Sequence, residues 1–304
     1  MTSRLGHLFR QARRTIRQRG ISATLKGGPR YLARYLRAQR ARRKMEKILI
    51  EVPLLYDSWT SLIPPRDLWV GAADPLVQFV RWPLEYRNYL PLLCGMRRDS
   101  SVLELGCHHG RTMLGLVDYL RPPGRYEGLD IMPRQIEFAQ RHIHKAFPNF
   151  NFTLADVHSQ TYNPEGRISA ETYRFPYPDA SFDVIYAASL FTHLLPQATA
   201  NYLRESRRVL HPGGRCLFSF LVLENYRNKG PEAWFELRYP LQGFDRVAIR
   251  DPENPESLIA YETSFVEEMA TKAGLKLERV IPGFWSDRHD LTVNEHDLFL
   301  LEAV

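Results

Sequence analysis

The chain has 304 residues, 44% of them hydrophobic and 25% charged, a balance typical of a folded globular protein with enough apolar mass for a sizeable core. No apolar run of about 18 residues occurs, so no membrane-spanning helix is predicted, and the N-terminus lacks the apolar segment of a secretory signal. Three cysteines, Cys94, Cys107 and Cys216, lack metal-ligand or disulfide-framework spacing; their odd number suits a reducing compartment and predicts no metal centre.

The net charge of +7 is unevenly distributed. Residues 1–50 carry 15 Lys or Arg, 12 of them Arg, against the single acid Glu46, whereas the rest of the chain has a balance of −7. Leu5, Leu8, Phe9, Ala12 and Ile16 follow helical spacing with Arg10, Arg13, Arg14 and Arg17 between them. After Gly20 and the Gly27-Gly28-Pro29 break, a second basic helical pattern starts at Tyr31 and ends near Lys47. Three readings fit this extension: contact with an anionic membrane surface or other polyanion through residues 1–47, a helical cap on the acidic body, or a disordered or cleaved leader. Nucleic acid is the weaker partner, because no recognised binding motif accompanies the charge. The expected location is cytoplasmic, or peripheral to a membrane.

Residues 51–98 are rich in Pro and aromatic side chains, among them Tyr56, Trp59, Trp69, Trp82, Tyr86 and Tyr89, and read as a cap over a sheet edge. Pro83 to Leu90 reads as a short helix with Pro in its first turn. Residues 99–304 then form the main domain. Val102-Leu-Glu-Leu-Gly-Cys-His-His-Gly-Arg-Thr112 is a buried strand that enters a glycine turn. Helical spacing resumes at Met113, Leu114, Val117 and Leu120, so a helix is expected over 112–120. Such a turn presents free backbone N–H groups at the carboxyl edge of a sheet. Glu104 is costly at a buried strand tip unless donors satisfy it, either from a ligand or from the turn itself.

This stretch resembles the first motif of class I S-adenosylmethionine-dependent methyltransferases, with Glu104, Gly106 and Gly110 matching and His108 replacing the middle glycine. His108 is therefore expected to be strained, or to crowd a ligand. The dinucleotide fingerprint G-x-G-x-x-G fits the glycine spacing less well.

Short apolar runs then alternate with helical segments, as in a mostly parallel α/β sheet. Tyr126–Ile131 is the second strand and Pro133–Phe147 its helix. Asp130 falls at a strand's carboxyl end about 24 residues past Gly106, placed to accept both hydroxyls of a ribose or to cap the helix. The third strand, Asn151–Ala155, is followed by Asp156 and Val157; the resemblance implies that Asp156 accepts from the adenine amine and Val157 packs on the ring, while a solvated strand-end Asp is the plainer reading.

Phe175-Pro176 and Asp179-Ala-Ser-Phe-Asp183 precede a fourth strand at Val184–Ala188, a Ser189-Leu-Phe-Thr-His-Leu194 segment and a helix to Leu210. His211-Pro-Gly-Gly-Arg215 leads into a fifth strand from Cys216 to Leu223. These segments match the family in order over residues 85–223. The resemblance implies a Rossmann-like fold with a seven-stranded, mostly parallel sheet, helices on both faces, an antiparallel last strand and a helical N-terminal extension. It also implies S-adenosyl-L-methionine as cofactor, held by Glu104, Gly106, Cys107, His108, Gly110, Asp130, Ile131, Asp156, Val157 and Ala187.

Residues 224–261 form an insertion placed to recognise or cover a substrate. Ser264 and Glu267 suggest a capping box opening a helix that Gly274 stops. Leu275–Ile281 and His296–Ala303 read as the last strands, antiparallel at the edge, joined by a loop rich in titratable groups at 283–290.

Methyl transfer needs alignment, and a general base where the acceptor is a hydroxyl. His193 is the first candidate for that base, and a packed or hydrogen-bonded scaffold histidine is the alternative. Asp287, His289 and Glu224 are weaker candidates. His108 and His109 would need further ligands to hold a metal. The stretches from Tyr173 through His193 to the 283–290 loop resemble bacterial methyltransferases of surface glycans and glycolipids. The expected reaction is O-methylation of a saccharide, glycolipid or related small metabolite. The alternatives are N- or C-methylation of a lipid, quinone or RNA, or a non-catalytic scaffold with a degenerate cofactor site.

Overall fold

The computed structural model describes residues 62–69, 79, 81–227, 237, 239–283, 285 and 294–304. The basic extension expected over 1–50, most of the cap over 51–80, and Asp287 and His289 lie outside them.

Helix α1 (Trp82–Cys94) buries Pro83, Tyr86, Leu90 and Cys94, one face at three- and four-residue spacing. It runs past the expected Leu90 because its stop signal is Gly95, whose φ of 69° allows the left-handed cap. Strand β1 (Ser101–Leu105) follows, buried at four of its five positions. β2 (Arg125–Asp130), α2 (Pro133–Ala139), β3 (Phe150–Leu154), β4 (Phe182–Ala187), α3 (Pro196–Val209) and β5 (Leu210–Phe220) continue the alternation. Each strand end lies within a residue or two of its sequence expectation except those of β5, which begins before the Pro212-Gly-Gly turn and ends at Phe220.

β1 pairs in parallel with β2 and β4, β2 with β3, and β4 with β5. The seven-stranded order is β3-β2-β1-β4-β5-β10-β9, where β9 is Leu275–Ile281 and β10 is Asp297–Ala303. The last strand, β10, is antiparallel to both neighbours, as expected. It does not lie at the edge. It is inserted between β5 and β9, so the two last strands are antiparallel to each other, β9 forms the edge, and β9 itself runs parallel to the main set. Burial explains the insertion: six of the seven β10 residues are buried, whereas only Leu275 is buried in β9. The strand apolar on both faces takes the inner position.

Two local expectations also change. The helix expected over 112–120 is a 3-10 segment, Met113–Leu116. Gly115 lies so close to α1 that a Cβ would sit 2.1 Å from the Pro83 carbonyl oxygen, and its own carbonyl accepts from Arg87 Nη1 at 3.1 Å. The capping box does not form. Helix α5 (Thr263–Lys272) begins one residue before Ser264, and the Thr263 N–H donates to the Glu224 carboxylate at 2.9 Å. Glu224 sits in α4 (Leu223–Arg227), so its side chain caps α5.

The insertion contributes a separate antiparallel sheet of β6 (Tyr239–Leu241), β7 (Phe244–Ile249) and β8 (Ile259–Tyr261). Asp297 ties it to the main sheet's edge loops by accepting from Val222 N, Asn225 Nδ2, Gly283 N and Trp285 Nε1. Among the described residues no helix is long and apolar enough to cross a membrane.

Candidate active site

The strand order reverses between β1 and β4, and ligands of open α/β sheets bind in the crevice outside the carboxyl ends at such a point. A cavity of about 910 Å³ lies there, at the large end of the ~300–1,000 Å³ range of small-molecule sites. Its wall includes Gly106 after β1, Asp130 and Ile131 at the end of β2, Val157 after β3, and Ser189 and His193 after β4.

The glycine turn is tied to β2 through Gly106 N and Cys107 N, which both donate to Leu129 O. Gly106 has a φ of 74°, and a Cβ there would lie 3.3 Å from Leu190 Cβ. Gly110 has a φ of 86°, and a Cβ would meet Ile143 Cδ1 at 2.8 Å. His108 also adopts a positive φ, 54°, a conformation that costs a non-glycine residue on the order of 1 kcal/mol. Its backbone N–H donates to Asp130 Oδ2 at 2.7 Å, which holds the turn in place.

Asp130 is 8% exposed. Its second oxygen accepts from Met132 N at 2.9 Å, so one carboxylate fastens the glycine turn to the start of α2. Burial pushes its carboxyl up, opposed by these backbone donors. The carboxylate lines the cavity and has acceptor capacity beyond these backbone donors.

Glu104 finds its donors within the protein. It is 1% exposed and absent from the cavity wall; Thr112 Oγ1 donates to one carboxylate oxygen, and Tyr126 OH and Tyr186 OH donate to the other at 2.5 and 2.7 Å. Cys107, Gly110 and Ala187 are also behind the wall, and Ala188 takes the lining position. Asp156 is engaged by Arg167 through both Nε, at 2.6 Å, and the backbone N–H, at 3.1 Å. Asp156 is likewise outside the lining, while Arg167 is within it.

His193 lines the same cavity as Asp130. Its Nδ1 is 2.9 Å from the Glu256 carbonyl oxygen, and Tyr162 OH is 3.4 Å from the ring. A carbonyl only accepts, so Nδ1 carries the hydrogen and Nε2 keeps the lone pair, with Tyr162 OH 3.4 Å away as a donor to it. Burial lowers the imidazole to about 4. His296, just before β10, is lowered to about 4 for the same reason. His108 is pushed far below the usual histidine range, and His109 to about 3, again by burial. All four rings are neutral at pH 7. Among the described residues no group of three His, Cys, Asp or Glu is placed to hold a metal.

Arg111, Trp82, Tyr162, Glu256 and His296 also line the cavity without having been expected there. Arg111 has a local signal, since it directly follows Gly110. The others come from distant segments and have no spacing that marks them.

Residues 103–218 match the family described as "Methyltransferase domain". Over 129 residues the chain is 30% identical to the 27-O-demethylrifamycin SV methyltransferase of Amycolatopsis mediterranei, covering 42% of this chain and 41% of that protein. An uncharacterized 37.1 kDa transposon protein of Streptomyces fradiae is 31% identical over 132 residues, covering 43% of this chain and 33% of that protein. The chain thus spans about a third to two-fifths of the length of these relatives. The fold is shared with the CcbJ methyltransferase from Streptomyces caelestis at TM-score 0.50 and 18% identity, covering 78% of this chain and 94% of that one. The matched segment carries the strand, glycine turn and strand-end acid around which the cavity is built, and residues 103–218 belong to the class I S-adenosylmethionine-dependent methyltransferase domains.

Proposed function

We propose that this chain methylates a hydroxyl of a small acidic or neutral acceptor, a saccharide, glycolipid or related metabolite, with S-adenosylmethionine as donor. One observation carries the reading: a single cavity joins the strand-end acid Asp130 to a neutral His193 whose Nε2 holds a lone pair approached only by Tyr162 OH, at 3.4 Å, among the described residues.

The residues present fit the cofactor. Gly106 leaves backbone open where a Cβ would close the space beside Leu190, and the lone pairs of Asp130 suit a ribose diol. Ile131, Ala155 and Val157 supply apolar walls for a base. When bound, the cofactor supplies an electrophilic methyl group on a sulfonium. His193 Nε2 takes the acceptor's hydroxyl proton as its oxygen attacks. The burial that keeps this imidazole unprotonated also makes it a weak base, so alignment of the two partners within the cavity carries most of the rate.

The name of the Amycolatopsis relative, a methyltransferase of an O-demethylated compound, supports oxygen as the accepting atom. The basic residues 1–47 support peripheral attachment to an anionic membrane; vesicle sedimentation with and without anionic lipid tests that part. The reaction itself is tested by measuring S-adenosylhomocysteine release with hydroxylated acceptors and with amine-only analogues. Turnover confined to amines would overturn O-methylation, and absence of cofactor binding in the folded protein would favour a non-catalytic scaffold.

A further inference from the structure

Three arginines line the cavity. Arg167 is paired with Asp156, and Arg250 Nη2 donates to the Ser257 carbonyl at 3.0 Å. Among the described residues Arg111 makes neither an ion pair nor a hydrogen bond; its guanidinium lies 4.4 Å from the centroid of the Trp82 ring. Three of the four carboxylates of the same wall are committed elsewhere, and the fourth, the exposed Glu171, makes no ion pair with Arg111. Asp130 accepts two backbone N–H groups, Glu295 is bridged by Arg81 at 2.9 Å, and Glu256 accepts from Ser159 Oγ and Gln160 N. A half-buried guanidinium with its donors unused by the protein gains from an arriving anion.

A second observation points the same way. His108 is 6% exposed, lines the same wall, and both of its ring nitrogens lack a hydrogen-bond partner. A neutral imidazole offers one N–H donor, and leaving it unused when buried is unfavourable. Two donor groups three residues apart on one glycine turn therefore have nothing in the protein to bind.

The location favours the acceptor. Trp82, over which Arg111 stacks, shares a wall with Ser189, Glu295 and His296. That is the side of β4 and β10, toward His193, and not the side of β2 and β3 where Ile131 and Val157 lie. We propose that Arg111, assisted by His108, recognises a carboxylate or phosphate group on the methyl acceptor. The substrate is then a hydroxylated acid, such as an acidic or phosphorylated saccharide. This rests on the preceding reading, in which the acceptor occupies the His193 half of the cavity.

The test uses the full chain and calorimetric titration with benzoate, phenyl phosphate and neutral benzamide, each with and without S-adenosylhomocysteine. One of the two anions should bind at least about tenfold more tightly than benzamide. Arg111→Gln should weaken that anion roughly 10- to 100-fold, as expected for lost charge-assisted hydrogen bonding, and leave benzamide and S-adenosylhomocysteine unchanged. Arg111→Lys, which keeps the charge and loses the planar fork, should give an intermediate loss and serves if the Gln variant fails to fold. Equal binding of anions and benzamide, or anion binding indifferent to either substitution, would overturn the proposal. So would a loss of S-adenosylhomocysteine affinity with methylthioadenosine binding intact, since that would assign Arg111 to the cofactor's own carboxylate. Failure of the wild-type protein to bind S-adenosylhomocysteine would instead remove the transferase reading, and the cofactor-free titrations would still decide whether Arg111 is an anion site.

Discussion

Replacing Glu104 separates a structural carboxylate from a ligand-binding one. Its two oxygens accept hydroxyls from Thr112, Tyr126 and Tyr186, which are all fully buried. Glu104→Leu leaves these three hydroxyls without their acceptor, at about 1–3 kcal/mol each. Removing a buried carboxylate relieves part of that cost, because burial already pushes the Glu104 carboxyl up. A net loss of about 3 kcal/mol remains, a large share of the ~5–15 kcal/mol that holds a typical domain together. Glu104→Gln keeps an oxygen for the two tyrosines and offers its amide to Thr112 Oγ1, so it should cost less than about 1 kcal/mol. Urea denaturation followed by tryptophan fluorescence measures both variants, with a parallel titration of S-adenosylhomocysteine. A Leu variant as stable as wild type would refute the structural assignment. A Gln variant of full stability that binds the cofactor product more than about tenfold more weakly would show that Glu104 faces the ligand.

Asp130→Asn should weaken cofactor binding roughly 10- to 100-fold, measured by the same titration, whereas Asp130→Ala should also lower the unfolding midpoint because it releases the His108 and Met132 N–H groups. Gly110→Ala forces a side chain into a φ of 86° with its Cβ 2.8 Å from Ile143 Cδ1, and should cost about 1–3 kcal/mol in urea denaturation. For His193, held near 4 by burial, kcat/KM should rise with pH through about 4 and then level off, since deprotonation creates the base; His193→Ala should lower the plateau by ~10²–10⁴, and an identical acid limb in that variant would exclude the residue. His296 stays neutral in the fold down to about 4 but protonates near 6.5 when unfolded. The unfolded chain therefore binds more protons below 6.5, and the contribution of His296, full above that pH, is lost toward 4, at most about 3 kcal/mol. His296→Asn should make the stability-against-pH slope between 6.5 and 4 shallower than in wild type.

Features carried by contiguous residues were legible in the sequence. The Gly106–Gly110 turn, the strand ends near Asp130 and Val157, and the alternation of strands and helices are fixed by local backbone needs and apolar runs. The departures arise where a distant partner decides. Periodicity identified β10 as a strand, but only its pairing with both β5 and β9 shows that it lies inside the sheet. Ser264 and Glu267 satisfied a capping pattern, yet Glu224 from another helix reaches the first N–H instead. Glu104 and Ala187 fell on motif positions whose side chains point behind the cavity wall. Trp82, Tyr162 and His296 meet at the site from three separated segments, and no spacing rule joins them.

The charge distribution around the cavity links the donor to the proposed acceptor. The wall carboxylates of Asp130, Glu256 and Glu295 are held by N–H groups, a hydroxyl or Arg81, and the lining histidines His108, His193 and His296 are neutral at pH 7, which leaves Arg111 a cation of the wall with no carboxylate bonded to it. A cationic methyl donor entering the same poorly solvated space meets like charge, and opposition of this kind is stronger there than in water. An acceptor anion on Arg111 removes it. Donor and anionic acceptor should therefore bind with positive cooperativity, whereas the neutral thioether product should bind equally well with or without the anion. With His193 as the base the reaction conserves charge, because the positive charge lost from the sulfonium as the methyl group moves reappears on the imidazole that has taken the acceptor's proton.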